Sequence, residues 1–260
     1  FKGKPEWQRA KTYGFDWVDN LPIPKELPEK EWPINYDTSM GLLRTLAAVD
    51  ESLGRVLAAL DEMGELDNTV IIYSSDNGYF LGEHTLNDKR LAYEASIRVP
   101  MLIRYPTLIK PNTQIKEQSL NIDLAPTILD LAGIEKPDYM QGDSMVKLLK
   151  GEKEENWRTA ILFEYYLDTY WPYAGPNQIA VRTDNYKLVD AFLENDIDEL
   201  YDLKKDPGEM TNLINNPEYD KIELALRNQA EELKEQYQYN PERDWWLDEV
   251  MKSKQNQATH

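Results

Sequence analysis

The chain has 260 residues, of which 41% are hydrophobic, and a formal net charge of -18. This length and apolar content suit one large or two modest globular domains. The negative charge argues against binding to nucleic acid or to an anionic membrane through a general basic field. The sequence contains no cysteine, which excludes disulfides, and no segment is long and apolar enough to span a membrane.

An extended connector is predicted over residues 1–35, because Pro, Trp and Lys recur there without periodicity. The first residue is Phe1, and neither a starting Met nor a signal-type segment is present. We therefore expect the chain to be mid-protein sequence, and the cellular compartment stays open.

Residues 36–64 predict a long helix. Apolar side chains recur at alternating intervals of four and three from Leu42 to Met63, after an Asp37-Thr38-Ser39 start and before a Gly64 stop. The single apolar face suits either a coiled coil or a helix that covers a sheet. A strand follows after a short turn, which favours the helix on a parallel sheet.

The next elements alternate between strands and helices up to residue 152. Strands are predicted over 69–75 and 100–105, with parallel pairing after a long crossover that contains a short helix at 93–98. Two further helices are predicted over 121–132 and 143–150, and we interpret Asp123 as the N-cap of the first.

From residue 153 strands follow one another, which predicts a separate α+β subdomain. Strands are expected at 160–166, 179–192 and 199–203, with a hairpin turn at Thr183-Asp184-Asn185 inside the second range. A polar amphipathic helix is expected over 217–238. The predicted organisation is therefore 1–35, 36–152 and 153–260.

The segment after the first strand carries the candidate chemistry. Asp76 and Asn77 offer hard oxygen ligands of the kind that calcium or magnesium prefers. His84 and Lys89 follow on the same connecting segment, and an ammonium suits an oxyanion. The alternative is a plain Asp-Asn-Gly turn, in which Gly78 would supply a positive φ.

Five motifs in order resemble the sulfatases of the alkaline-phosphatase-like superfamily, from about Tyr36 onward. They read SSDNGYFLGEHTLNDKR, YEASIRVPMLIRYP, NIDLAPTILDLAGI, MQGDSMVKLLKG and ELYDLKKDPGEMTNL. The resemblance implies an α/β fold. The chain would be the C-terminal part of the sulfatase domain, a mostly parallel sheet with flanking helices, followed by a smaller α+β subdomain with an antiparallel sheet.

The resemblance also implies roles for these residues. Asp76 and Asn77 would bind a divalent metal, with Ca2+ expected and Mg2+ or Mn2+ as alternatives. Lys89 would contact the oxyanion of the ester, and His84 would contact the substrate or, less in keeping with the family, act as an acid. Arg90 would assist Lys89 or form an ion pair with a nearby carboxylate such as Glu83, Asp88 or Glu94.

Sulfatases use a formylglycine made within a Cys/Ser-x-Pro-x-Arg motif, which this chain does not contain. We expect that motif in an N-terminal part outside the chain, and we expect the isolated chain not to hydrolyse esters. The implied activity is metal-dependent hydrolysis of a small-molecule or oligosaccharide sulfate ester. Substrate contacts are also predicted for three aromatic residues that could instead be packed in a core: Tyr166, Tyr170 and Trp171.

Two alternatives remain at this stage. The first is a phosphonate or phosphate ester hydrolase of the same superfamily, although such enzymes commonly carry His where this chain has Asn77. The second is a non-catalytic relic that binds metal or glycan. The sequence does not decide the oligomeric state or the specific sulfated substrate.

Overall fold

The computed structural model describes residues 36–165, 178–191 and 197–239. Within these ranges no helix is both long and apolar enough to cross a membrane. Short 3-10 turns lie at Leu66–Asn68, Glu83–Thr85 and Asn121–Asp123. The helices are α1 (Tyr36–Glu62), α2 (Glu94–Ile97), α3 (Leu124–Leu131), α4 (Val146–Leu149) and α5 (Asp220–Gln236). The strands are β1 (Ile71–Ser74), β2 (Phe80–Leu81), β3 (Asn87–Asp88), β4 (Met101–Arg104), β5 (Ala160–Tyr165), β6 (Gln178–Thr183), β7 (Tyr186–Ala191) and β8 (Glu199–Asp202).

The described residues divide into two compact units. The first unit contains residues 36–89 and Ala95–Thr159, and the second contains Arg90–Glu94 together with the residues from Ala160 onward. The organisation into 1–35, 36–152 and 153–260 stays a prediction.

Helix α1 confirms the helix predicted from the apolar spacing. It ends in a Schellman motif, in which Gly64 has a φ of 72° and Glu65 N donates to Leu60 O at 2.9 Å. Its apolar face is solvent-exposed, with Leu42 39% and Val56 53% exposed. The predicted packing of this face on a sheet is therefore not seen among the residues that the structure describes.

The predicted parallel pairing of the strands at 69–75 and 100–105 is wrong. Strands β1 and β4 pair antiparallel, with Ile71 opposite Arg104 and Ser74 opposite Met101. A parallel return needs a crossover that carries the chain back along the sheet, usually as a helix. Here the connection contains the β2–β3 hairpin and only the four-residue α2, so the chain re-enters from the end at which it left.

The second unit is built on an antiparallel sheet in the order β5-β6-β7-β8. The turn between β6 and β7 lies where the sequence predicted it, and Thr183 closes it, since its Oγ1 donates to Tyr186 O at 3.0 Å and accepts from Tyr186 N at 3.0 Å. The predicted strands and the hairpin of this subdomain are thus confirmed, with the outer strand ends shifted by no more than one residue.

The two faces of this sheet bury different partners. Helix α5 covers one face through Leu226, Ala230 and Leu233, which pack in a cluster with Val181 and Leu188 of the sheet. Their spacing of four and three residues places them on one side of the helix. Ala180 and Val189 face the other side of the sheet. They form a second cluster with Ala92 of the Arg90–Glu94 segment.

Candidate functional site

The Asp76-Asn77-Gly78 segment directly follows β1 and folds as a hydrogen-bonded turn. Asp76 Oδ1 accepts from Asn77 N at 2.9 Å, and Asn77 Nδ2 donates to Gly78 O at 2.7 Å. The Asp76 side chain is nevertheless exposed. The turn and the ligand interpretation are therefore compatible, because the turn uses one carboxylate oxygen and the amide nitrogen.

Gly78 is required for a close backbone approach and does not adopt the positive φ that the turn interpretation expected. Gly78 N donates to Ser96 O at 2.7 Å. A Cβ atom at position 78 would lie 2.2 Å from Ala95 O, which is far inside van der Waals contact. The turn is thus held directly against the backbone of α2.

Asn121 holds the turn from a second side. Its Nδ2 donates to Asp76 O at 3.0 Å and to Ser75 O at 3.2 Å. Asn121 begins the 3-10 turn before α3, 45 residues away from Asp76 in sequence. No local pattern at Asn121 indicated this contact.

His84 lies at the tip of the β2–β3 hairpin, which pairs Phe80 with Asp88. Its backbone is left-handed at a φ of 56°, and its side chain is buried edge-on to Phe80, with ring centroids 6.3 Å apart. Glu83 Oε2 accepts from Leu81 N at 2.6 Å, so this carboxylate is bonded back to strand β2 of the hairpin.

Lys89 and Arg90 follow the hairpin. The Lys89 side chain is exposed, whereas Arg90 is partly buried and has a left-handed φ of 100°. Asp76, Asn77, His84 and Lys89 belong to the first unit, and Arg90 begins the segment that belongs to the second. Tyr166, Tyr170 and Trp171 lie outside the described residues.

Glu94 was one of the carboxylates proposed from the sequence as an ion-pair partner for Arg90. In the structure it pairs with two cations of the second unit. It accepts from Arg182 Nη2 at 3.2 Å and lies 2.8 Å from Lys187 Nζ. Burial opposes its ionisation, but Lys187 and Arg182 outweigh burial and hold the pKa of Glu94 below its ordinary value. Lys187 also donates to Ala92 O at 2.8 Å.

Tyr93, which directly precedes Glu94 in the Arg90–Glu94 segment, donates to the buried carboxylate of Glu199 at 2.7 Å. Tyr201 also donates to Glu199. Burial, helped by the Glu199 charge, raises the pKa of Tyr201, so this phenol stays protonated. The sequence did not point to this network, because Tyr93 and Glu199 are 106 residues apart.

Asp123 was interpreted as an N-cap, and this interpretation misses its main contacts. The carboxylate is fully buried and accepts two hydrogen bonds of 2.6 Å from the terminal nitrogens of Arg158. It also accepts from Leu120 N at 2.7 Å and Asp143 N at 2.9 Å. As the N-cap of α3, Asp123 makes no side-chain capping bond.

The residues present suit only part of a metal site. Among the described residues, no group of three His, Asp or Glu side chains converges closely enough to hold an ion. Asp76 and Asn77 provide two hard oxygen donors, which fit calcium or magnesium in type but fall short of the six to eight ligands that calcium takes.

Comparison with known proteins gives consistent likenesses. Residues 82–236 match the family model described as N-sulphoglucosamine sulphohydrolase, C-terminal. An N-acetylglucosamine-6-O-sulfatase of Bacteroides thetaiotaomicron is 43% identical over 202 residues, which cover 76% of this chain and 36% of that relative.

Solved structures show the same likeness. One solved protein is described as a complex with its substrate D-glucosamine-2-N,6-O-disulfate. It is 41% identical to this chain, with a TM-score of 0.71, and the match covers 76% of this chain and 40% of that protein. A phosphonate monoester hydrolase of Agrobacterium radiobacter is 29% identical, with a TM-score of 0.65 over 74% of this chain and 40% of that one. The chain thus spans well under half the length of the relatives it matches.

Proposed function

Because the chain belongs to the sulfatase family, as the match over residues 82–236 shows, we propose that it supplies part of the active site of a sulfuric ester hydrolase that acts on a sulfated carbohydrate. The relative at 43% identity is an N-acetylglucosamine-6-O-sulfatase. A sugar that carries a 6-O-sulfate is therefore the first substrate to test.

The observation that carries the proposal is the turn at Asp76. Its backbone is held by Asn121 and, through Gly78, by Ser96, while its carboxylate faces solvent. A charged group on a fixed backbone is preorganised to bind an ion without a large loss of conformational freedom.

The proposed cation is divalent, with Ca2+ expected and Mg2+ or Mn2+ as alternatives. Asp76 would bind it through the carboxylate and Asn77 through Oδ1, since Nδ2 of that amide donates to Gly78 O. Further ligands would come from outside this pair. When bound, such an ion polarises the sulfate and offsets the negative charge that develops on the leaving oxygen.

Lys89 and His84 would contact the ester. The ammonium of Lys89 is exposed and follows β3, so it can donate to sulfate oxygens as a compact point charge. His84 stays part of the proposal as a substrate contact, although its side chain is only 6% exposed and packs edge-on against Phe80. Arg90 as an assisting cation, and Tyr166, Tyr170 and Trp171 as sugar contacts, remain part of the proposal.

This chain has no Cys or Ser in a Cys/Ser-x-Pro-x-Arg motif, where formylglycine would form. Its own residues would therefore bind and hold the ester and would not attack sulfur. The phosphonate hydrolase alternative is less favoured, because its solved relative shares 29% identity against 41% for the protein bound to the sulfated sugar. A relic that binds metal without turnover is the other outcome to test.

The first experiment is to express the complete reading frame that encodes this chain and to look for the motif in frame. Sulfate release from N-acetylglucosamine 6-sulfate would be measured by ion chromatography. Asp76→Ala and Lys89→Ala should each lower kcat/KM by about 100-fold or more, because each removes a fixed charge at the sulfate. Lys110→Ala, which removes an exposed lysine outside the loop, is the matched control.

The outcomes separate the hypotheses. Sulfate release that depends on Asp76 and Lys89 but not on Lys110 supports the proposal. Faster cleavage of a phenylphosphonate ester than of the sulfate would overturn it in favour of a phosphonate hydrolase. Calcium-dependent stabilisation with no turnover of either ester would instead identify a binding relic, and hydrolysis by the 260-residue chain alone would contradict the expected lack of a nucleophile.

A further inference from the structure

A buried ion pair lies in the first unit, close in sequence to Asn121, whose side chain contacts the Asp76 turn. Arg158 is 8% exposed and Asp123 is 0% exposed, and they make two parallel hydrogen bonds. This two-point geometry fixes the direction of the carboxylate as well as its distance. Every donor to Asp123 comes from a different part of the chain, so the pair joins three segments.

The three segments, which contain Leu120, Asp143 and Arg158, are held together by further contacts. Gln118 O accepts from Trp157 Nε1 at 2.9 Å and from Arg158 Nη1 at 3.1 Å. On the other side, a Cβ atom on Gly142 would lie 2.0 Å from Ile122 O, so only glycine permits this approach. The backbone from 118 to 123 is therefore held from both directions.

Asn121 projects from the middle of this braced segment. Both neighbours of Asn121 are held in place. Leu120 N donates to the Asp123 carboxylate, and Ile122 O packs against Gly142. Its side chain is exposed, and its amide donates to two successive carbonyls, Ser75 O and Asp76 O. A rigid amide that spans two adjacent carbonyls restricts rotation of the peptide that bears Asp76.

From this arrangement we propose that Asn121 is a positioning residue for the Asp76–Asn77 ligand pair, and that the Asp123–Arg158 ion pair fixes Asn121 in place. The inference rests on the proposed metal role of Asp76 and Asn77. Neither Asn121 nor Arg158 contacts the ion in this proposal. Outer contacts of this kind typically change metal affinity by about 10–100-fold when they are removed.

The first test uses Asn121→Ala, which removes an exposed side chain and leaves the buried pair intact. Backbone hydrogen exchange would be measured in the metal-free chain. Exchange at the amides of Asn77 and Gly78, which report the turn, should accelerate by about 10-fold or more, whereas exchange in β5 to β8 should stay unchanged. Unchanged exchange at both turn amides would overturn the proposal whether or not the protein binds metal.

The second test measures, by calorimetry, the Kd for Ca2+ of the protein expressed from the complete reading frame, because Asp76 and Asn77 supply only part of the ligand set. Asn121→Ala should weaken binding by about 10–100-fold without lowering Tm by more than a surface substitution does. Asn68→Ala is the matched control, since the amide of Asn68 also makes an exposed hydrogen bond, to Glu65 at 2.9 Å, but does not touch the turn. Equal loss of affinity in both variants would contradict a positioning role.

Arg158→Lys tests the ion pair in the same assays. Lysine keeps the charge but cannot form the two parallel bonds to Asp123. We expect it to reproduce the exchange and affinity changes of Asn121→Ala in weaker form, and an Arg158→Lys protein with wild-type exchange at the turn would remove the ion pair from the proposal. If wild type binds no Ca2+, the proposed metal role fails, and the exchange measurements still decide whether Asn121 positions the turn.

Discussion

Lys187 Nζ lies 2.6 Å from Glu209 Oε1, and both side chains are almost completely buried. Glu209 in turn accepts from Glu94 N at 2.7 Å, so the pair connects the sheet to the Arg90–Glu94 segment within the second unit. Burial raises the pKa of Glu209, and the Lys187 ammonium opposes that rise.

Replacing Lys187 by Met should destabilise the chain strongly. The change leaves the carboxylates of Glu94 and Glu209 without their shared cation, and an uncompensated buried charge costs about 3–5 kcal/mol. Chemical denaturation would measure the loss. Lys153→Met provides the control, because Lys153 pairs with Glu155 at 3.6 Å between two exposed side chains and its loss should leave the midpoint unchanged. Similar midpoints for both variants would show that the buried pair contributes little.

The pH dependence of stability should reveal Glu94. Its pKa is lower in the folded chain than its ordinary value of 4.5, so its stabilisation is complete above that pH and is lost as pH falls through the folded pKa. The difference in unfolding free energy between wild type and Glu94→Gln should therefore shrink below about pH 4.5. Dilute samples followed by circular dichroism would avoid precipitation near the isoelectric point.

Glu209→Gln gives the opposite sign. Because the folded pKa of Glu209 is raised, its stabilisation is largest at low pH and is lost as pH rises through the folded pKa. The difference in unfolding free energy between wild type and Glu209→Gln should therefore widen as pH falls. Parallel trends for the two variants would contradict the assigned pKa directions.

Arg158→Ala should destabilise the first unit, because it leaves the buried Asp123 charge without a cation. We expect a loss of about 3–5 kcal/mol in unfolding free energy. Lys153→Ala removes an exposed ion pair with Glu155 at 3.6 Å and should not shift the denaturation midpoint. An Arg158→Ala midpoint as high as that of the Lys153 variant would mean that water replaces the guanidinium.

Gly78→Ala should damage the turn even though alanine is a small residue. Its Cβ would collide with Ala95 O, so one of the two backbones must move, at a cost of about 1–3 kcal/mol and with weaker Ca2+ binding. Gly54→Ala is the control within α1, where nothing lies within 4 Å, and it should stabilise by about 0.5–1 kcal/mol. Thermal melting with and without Ca2+ would compare them.

Much of the local structure could be predicted from the sequence. The spacing from Leu42 to Met63 predicted α1, and the run of short strands after residue 153 predicted the antiparallel sheet. The sulfatase resemblance and the expected C-terminal portion with its antiparallel subdomain are confirmed by the family match and the solved relatives. These features depend on local periodicity or on whole motifs.

Most of the errors and omissions concern partners that are distant in sequence. The strand at 71–74 was recognised, but its direction relative to β4 depends on the path of the connection. Asp123 looked like an N-cap because its neighbours indicate a helix start, while Arg158 lies 35 residues away. Tyr93 and Glu199 are separated by 106 residues. Such pairs follow from the tertiary fold, on which a single sequence carries little information.

The left-handed backbones at His84, Asp88 and Arg90 have an evolutionary consequence. Each non-glycine residue in this conformation costs about 1 kcal/mol or more relative to a relaxed backbone. Libraries of the complete protein selected only for heat resistance should therefore accumulate glycine at Asp88 and Arg90, but not at His84, whose side chain is buried against Phe80. Libraries selected for turnover should retain Arg90 if it assists Lys89. Deep sequencing of both populations would compare the two pressures at each position, and equal glycine frequencies would show that the conformation carries no selective cost.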